Sequence, residues 1–172
     1  LITGGKYYEP YTYYYVTDQN DNIILDNRSN DGVQVYSEET AGIMNRLLHY
    51  NVTTAQHTQA WRARVSGWDI IGKTGTTDSG KDSWFCGCSP YASLAVWTGY
   101  DEPQTITGNG SINSLTIFQK VMAEYLSDKK NINYELPDTL ISARYCKDTG
   151  LLASSSCSNT DIGYYAEDNL PS

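Results

Sequence analysis

The stretch Gly67-Trp68-Asp69-Ile70-Ile71-Gly72-Lys73-Thr74 permits two chemistries. Two glycines followed by Lys-Thr satisfy the letter of a phosphate-cradling P-loop, whose backbone N–H groups and lysine would hold a nucleotide. A P-loop, however, is flexible backbone that runs directly into a helix. Trp68, Ile70 and Ile71 suit a strand, and Thr74-Gly75-Thr76-Thr77-Asp78-Ser79-Gly80 is poor helix material. The alternative takes Lys73-Thr74-Gly75-Thr76 as part of a strand bordering a cleft, with a cation and hydroxyls facing an extended substrate. Gly75 would then omit a side chain where a substrate backbone must come close. The plain structural alternative is a sheet-edge strand with an exposed lysine.

Other reactive residue types are sparse. The two histidines, His49 and His57, fall on an expected helix and in a polar loop, and are read as surface residues. Cys86 and Cys88 lie two apart in the apolar run Trp84-Phe85-Cys86-Gly87-Cys88, so they share one strand face. A disulfide there would be strained, and both are read as free buried thiols rather than metal ligands. Cys146 and Cys157 flank a Gly/Ser-rich turn that can bring them together. In an oxidising compartment they would form a disulfide, and in a reducing one they would remain thiols.

The elements that must position Lys73 follow from periodicity. Tyr11 to Val16 and Ile23 to Leu25, punctuated by Asp21-Asn22, predict a hairpin. From Ser37 the period changes, with Ala41, Met44, Leu47 and Leu48 on one helical face. Ser37 suits the N-cap, Glu38 and Glu39 complement the helix dipole, and the helix should end near Tyr50. Asn51 to Ser66 is polar and reads as loop or short helix. Trp68 to Thr77, Ser83 to Cys88 and Ser93 to Tyr100 are apolar runs separated by short breaks, which predicts a three-strand antiparallel meander over about 68–100. Leu115, Phe118, Val121, Met122 and Tyr125 form a helical stripe, with Ser111 capping that helix after Gly108-Asn109-Gly110. Residues 129–172 read as an irregular tail.

At 172 residues the chain suits one domain. Its net charge of −8 argues against a nucleic-acid partner or an anionic membrane surface. No run approaches the ~20 apolar residues of a membrane span. Fifteen Tyr and four Trp against two Phe describe a globular chain whose aromatics often keep a polar atom near water. The chain starts at Leu1 rather than Met and is read as a piece whose upstream part is missing.

Taken together, Gly72-Lys73-Thr74-Gly75-Thr76-Thr77, Asp82-Ser83-Trp84-Phe85-Cys86-Gly87, Ser89-Pro90-Tyr91 and Ala95-Val96-Trp97-Thr98-Gly99-Tyr100-Asp101 resemble the end of the transpeptidase domain of class A, bifunctional penicillin-binding proteins. Gly4-Gly5-Lys6-Tyr7-Tyr8-Glu9-Pro10 and the helix from Ser37 to Asn51 resemble the segments that precede it. The resemblance covers about residues 1–125, and it divides the chain into a transpeptidase part, 1–128, and the tail.

The resemblance implies an α+β fold, an antiparallel sheet packed by helices, and acyl transfer from peptidoglycan stem peptides ending in D-Ala-D-Ala, with β-lactams trapping the same serine. Lys73, Thr74, Gly75, Thr76 and Thr77 would line the site. Lys73 would supply positive potential, the Thr74 and Thr76 hydroxyls would bind the substrate carboxylate, and the Thr76 N–H would be an oxyanion donor. The family's Ser-x-x-Lys and Ser-x-Asn motifs precede Lys-Thr-Gly. Here the only look-alikes, Ser127 to Lys130 and Ser111 to Asn113, follow it, so the nucleophile is expected outside the chain and the chain alone should be inactive. No cofactor is expected. An extracytoplasmic location, anchored outside this chain, favours a Cys146–Cys157 disulfide. Without its upstream half the chain should leave apolar surface open along Ser37 to Tyr50 or at the sheet edge, and so should need that half or a second copy. The remaining alternatives are a non-catalytic binder of cell-wall peptide or of a partner, and a nucleotide binder using Gly67 to Thr74.

Overall fold

The computed structural model describes residues 1–55, 57–108 and 110–171, with the side chains of 110–112 left aside. Four small antiparallel units and two helices make up the described residues. In the first, β1 (Lys6–Tyr7) pairs with β4 (Val33–Gln34). Within that pair lies the hairpin of β2 (Tyr15–Thr17) and β3 (Ile23–Asp26), where Asp21 turns the chain at φ 62° and Asp18 accepts the N–H groups of Asn20 and Asn22. Tyr and Ile side chains of this arm remain exposed, Tyr14 at 68% and Ile24 at 60%.

Helix α1 (Glu38–Thr53) starts where Ser37 predicts, the serine oxygen accepting the Thr40 N–H. It runs past Tyr50 to Thr53, and a 3-10 helix at Ala60–Ala63 follows. Of the expected apolar face, Ala41 is buried while Met44 and Leu47 are 40% and 59% exposed, so apolar surface does stay open there.

The meander is β5 (Ile71–Thr76), β6 (Ser83–Cys88) and β7 (Ser93–Thr98), hydrogen-bonded in that order. Its first strand begins at Ile71, three residues after Trp68, because the Trp68 N–H closes a turn on the Val65 carbonyl. Helix α2 (Gly110–Leu126) covers β6 and β7. Backbone placement puts Ser111 inside this helix rather than at its cap; its side chain and Asn109 lie outside the described residues.

Phe85 and Phe118 form the centre of the core, edge to face at 4.7 Å and both fully buried. Leu115, Met122, Leu126, Val52 and Ile70 pack into that cluster together with Ala60, Ala63, Val65 and Val96. Val121 and Tyr125, expected on the packed stripe, point outward instead, since the buried line of α2 runs through 115, 118, 122 and 126. A buried Ser83–Ser114 hydroxyl pair at 2.9 Å joins sheet to helix.

The tail is not irregular: β8 (Leu140–Cys146) and β9 (Thr160–Ala166) form a seven-residue antiparallel hairpin. The alternation of larger and smaller apolar residues is weak there and the strands are 13 residues apart, so the pairing is carried by backbone rather than by pattern. Glu39 accepts the Thr139 hydroxyl at 2.6 Å and ties the hairpin to α1.

Candidate active site

Strand β5 changes character along its length. Ile71 and Gly72 are buried, and from Lys73 onward the strand rises to the rim. A Cβ on Gly72 would overlap the Phe85 ring and lie 2.9 Å from the Cys86 carbonyl oxygen, so the core permits only glycine there. Helix α1 lies against this strand, and Asn51 Nδ2 donates to the Gly72 carbonyl at 2.7 Å.

Beyond β5 no further strand pairs among the described residues, so one edge is open. The ladder determines which groups that edge presents. Thr77 N–H donates to the Asp82 carbonyl at 3.4 Å, which makes 77:82 a hydrogen-bonded pair. By the alternation of an antiparallel ladder, the pairs Thr76:Ser83, Thr74:Phe85 and Gly72:Gly87 are of the other kind, with their β5 amide and carbonyl groups turned to the open edge. Two side-chain contacts agree: Asn51 reaches the Gly72 carbonyl, and Lys73 Nζ donates to the Thr74 carbonyl at 2.9 Å, with the Thr74 hydroxyl at 3.5 Å. The edge therefore offers the Thr74 and Thr76 amides beside an ammonium group.

Lys73 and Gly75 share one sheet face with their cross-strand partners Cys86 and Trp84, whereas Thr74 and Thr76 point to the other. A Cβ at Gly75 would stand 3.3 Å from Trp84 Cβ, which a small shift would accommodate. Trp84 and Trp97, each 42% exposed, lie with ring centroids 6.3 Å apart. On the Lys73 face a cleft of about 610 Å³ is lined by Leu48, Ile71, Lys73, Cys86, Leu94 and Ala95.

Asp82 closes the turn after Thr77. Its Oδ2 accepts the Thr77 hydroxyl at 2.9 Å, its own N–H donates back to Thr77 Oγ1 at 3.0 Å, and its Oδ1 accepts Trp97 Nε1–H at 2.8 Å. The indole and hydroxyl donors hold its carboxyl below the usual carboxylate range. Neither Asn51 nor Asp82 stands out as reactive in the sequence; the only signal was that Asp82 opens the segment Asp82-Ser83-Trp84.

Behind the strand, His49 is not a free surface residue: its Nε2 lies 3.4 Å from Asp69 Oδ1, while Asp69 Oδ2 accepts the Tyr134 N–H at 3.3 Å. His57 is exposed. The chain after Thr74 continues as strand and then a three-residue turn at Asp78–Gly80, so no helix N-terminus faces Lys73 and the P-loop geometry is not formed. Ser127 is exposed beyond the end of α2, remote in kind from a buried nucleophile.

All four cysteines are unbridged. Cys86 is exposed beside Lys73 rather than buried, because the outward phase of β6 carries it, and Cys88 is half-buried. Cys146 is buried at the end of β8, where the Thr149 hydroxyl, the Cys157 thiol and two backbone N–H groups lower its pKa.

Solved structures share this fold. Penicillin-binding protein 1A from Haemophilus influenzae superposes with a TM-score of 0.78 over 98% of this chain and 30% of its own, at 20% identity. PonA1 from Mycobacterium tuberculosis gives 0.64 over 78% of this chain and 37% of its own, at 24% identity. The fold is thus the α+β transpeptidase fold expected from the sequence. The penicillin-binding protein transpeptidase domain matches residues 1–123, and the chain belongs to that family. Among curated relatives, penicillin-binding protein 1A of Clostridium perfringens is 32% identical over 86% of the chain, and that of Clostridium tetani 32% over 97%. The chain spans 18% and 22% of those two proteins.

Proposed function

We propose that this chain is one wall of a serine acyl-transfer site in a peptidoglycan D,D-transpeptidase. The observation that carries this is the open edge of β5, which sets the Thr74 and Thr76 amides beside Lys73. An extended stem peptide ending in D-Ala-D-Ala would lie along that edge, adding main-chain hydrogen bonds as a further strand would. Lys73 supplies positive potential for its terminal carboxylate, and the hydroxyls of Thr74 and Thr76 assist. Gly75 and Thr77 flank the binding line. The Thr76 N–H serves as one oxyanion donor, a role that contributes about 3–4 kcal/mol to the transition state in comparable sites.

The nucleophile, its lysine and the Ser-x-Asn pair come from sequence outside these 172 residues, so the chain alone does not acylate. β-Lactams enter as mimics of the same substrate. The site works on the extracytoplasmic face of the membrane; among the described residues no helix is long and apolar enough to cross a bilayer. The upstream half covers exposed apolar residues such as Met44, Leu47 and Tyr50 of α1, and a dimer through that face is the competing arrangement.

Labelling with a fluorescent penicillin tests this. Label should appear when the upstream segment is fused or added, and should fall on Lys73→Ala. Labelling of the isolated chain would show a nucleophile within it, and no labelling of the joined protein would leave only a peptide-binding role.

A further inference from the structure

A single carboxylate spans the sheet from the end of the Lys73–Thr77 segment to its far strand. Asp82 meets Thr77 through three contacts: carboxylate to hydroxyl, amide to hydroxyl, and carbonyl to the Thr77 N–H. Its second carboxylate oxygen holds Trp97 of β7. The six-pair ladder from Ile71 to Thr76 turns the Thr76 N–H to the open edge, and the pairing of 77 with 82 extends the same phase one position past it. From that juxtaposition we infer that Asp82 is a positioning residue: through Thr77 it locks the strand end so that the Thr76 amide faces the open edge, with Trp97 anchoring the carboxylate from behind.

The inference rests on the transpeptidase reading and goes beyond it by assigning a role to two residues that do not touch substrate. The ladder's alternation turns Thr76 outward, and the 77:82 pair braces that last rung from its far side. At 3.4 Å the Thr77 N–H bond is long, and the turn at Asp78–Gly80 includes Ser79 at φ 63°. Such an end frays unless side chains hold it, and the Asp82 carboxylate supplies that hold from both sides. An amide donor displaced by a fraction of its hydrogen-bond length loses its purchase on a developing oxyanion while ground-state binding changes little.

The test uses the transpeptidase that carries this chain together with its upstream half. Asp82→Ala, Thr77→Val, Trp97→Phe and Lys73→Ala are compared for penicillin acylation, separating the acylation rate constant from the dissociation constant, with thermal unfolding alongside. Thr77→Val keeps shape and removes the hydroxyl, so it remains informative if Asp82→Ala does not fold. The clasp predicts acylation slowed about 10- to 100-fold in Thr77→Val and in Asp82→Ala, with dissociation constants within about 3-fold. Trp97→Phe should move the rate in the same direction, and the Asp82→Ala/Thr77→Val double variant should be no slower than the worse single one, because the two act as a unit. Rate constants within about 2-fold of wild type in Thr77→Val and Trp97→Phe, while Lys73→Ala is impaired, overturn the positioning role alone. Unimpaired Lys73→Ala overturns the transpeptidase reading and this inference with it.

Discussion

Asn51 on α1 donates its side-chain amide to the carbonyl of Gly72 at 2.7 Å, capping the open edge of β5 one residue before Lys73. This bond occupies the edge at its buried end, and the Thr74 and Thr76 amides lie beyond it. Asn51→Leu should therefore leave the carbonyl of buried Gly72 unpaired and cost about 1–3 kcal/mol, read as a lowered denaturant midpoint with an unchanged slope.

Gly72 and Gly75 should respond oppositely to alanine. At Gly72 the added methyl collides with Phe85 and the Cys86 carbonyl, so overpacking of about 1–3 kcal/mol or more is expected in unfolding. At Gly75 the nearest atom is Trp84 Cβ at 3.3 Å, and a small shift suffices. Gly75→Ala should fold with little change in unfolding midpoint but weaken penicillin labelling of the joined protein, since the methyl stands on the Lys73 face. Equal loss of stability at both positions would refute the distinction.

Phe118→Ala removes one half of the buried pair with Phe85. A loss of about 3–5 kcal/mol is expected from transfer and cavity together, and calorimetry of the single variant measures it.

Asp26 carries the pH dependence of the aromatic arm. Its side chain accepts two bonds from the Arg28 guanidinium and one from the Arg28 N–H, which hold its pKa at about 2, well below the usual carboxylate range. A folded pKa below the unfolded one adds stability that is complete above the unfolded value and disappears as pH falls through the folded value. The stability difference between wild type and Asp26→Asn should thus be constant above about pH 5, shrink as pH falls, and vanish only near about pH 1. The group is solvent-exposed, so the difference should also shrink in high salt.

Cys146 and Cys157 are proposed to join under oxidising conditions. Oxidation by glutathione disulfide takes two electrons from the thiols and returns two glutathione thiols, leaving one S–S bond in the chain. Intact mass should fall by the two hydrogens lost, alkylation should then reach Cys86 and Cys88 only, and unfolding should rise by about 2–4 kcal/mol. Four alkylated cysteines after oxidation would reject the pair.

Much of this molecule was legible from local pattern. Ser37 followed by two glutamates began a helix because an N-cap oxygen and a dipole are satisfied within one turn, whatever lies elsewhere. The meander was visible as three apolar runs, and Lys73 to Thr77 as strand chemistry, because bulky residues flank a glycine that no helix would favour. Tertiary structure alone decided the rest. Side-chain alternation within β5 follows from the backbone, but which amides face outward depends on the phase of pairing with β6, a contact between segments. Asp82 acquired its partners only when β7 placed Trp97 beside it. Cys86, apolar by neighbourhood, became exposed because register put it opposite Lys73, and β8 met β9 through backbone bonds that composition does not encode. Hydrogen-bond phase and register are properties of two strands at once, so no single stretch of sequence contains them.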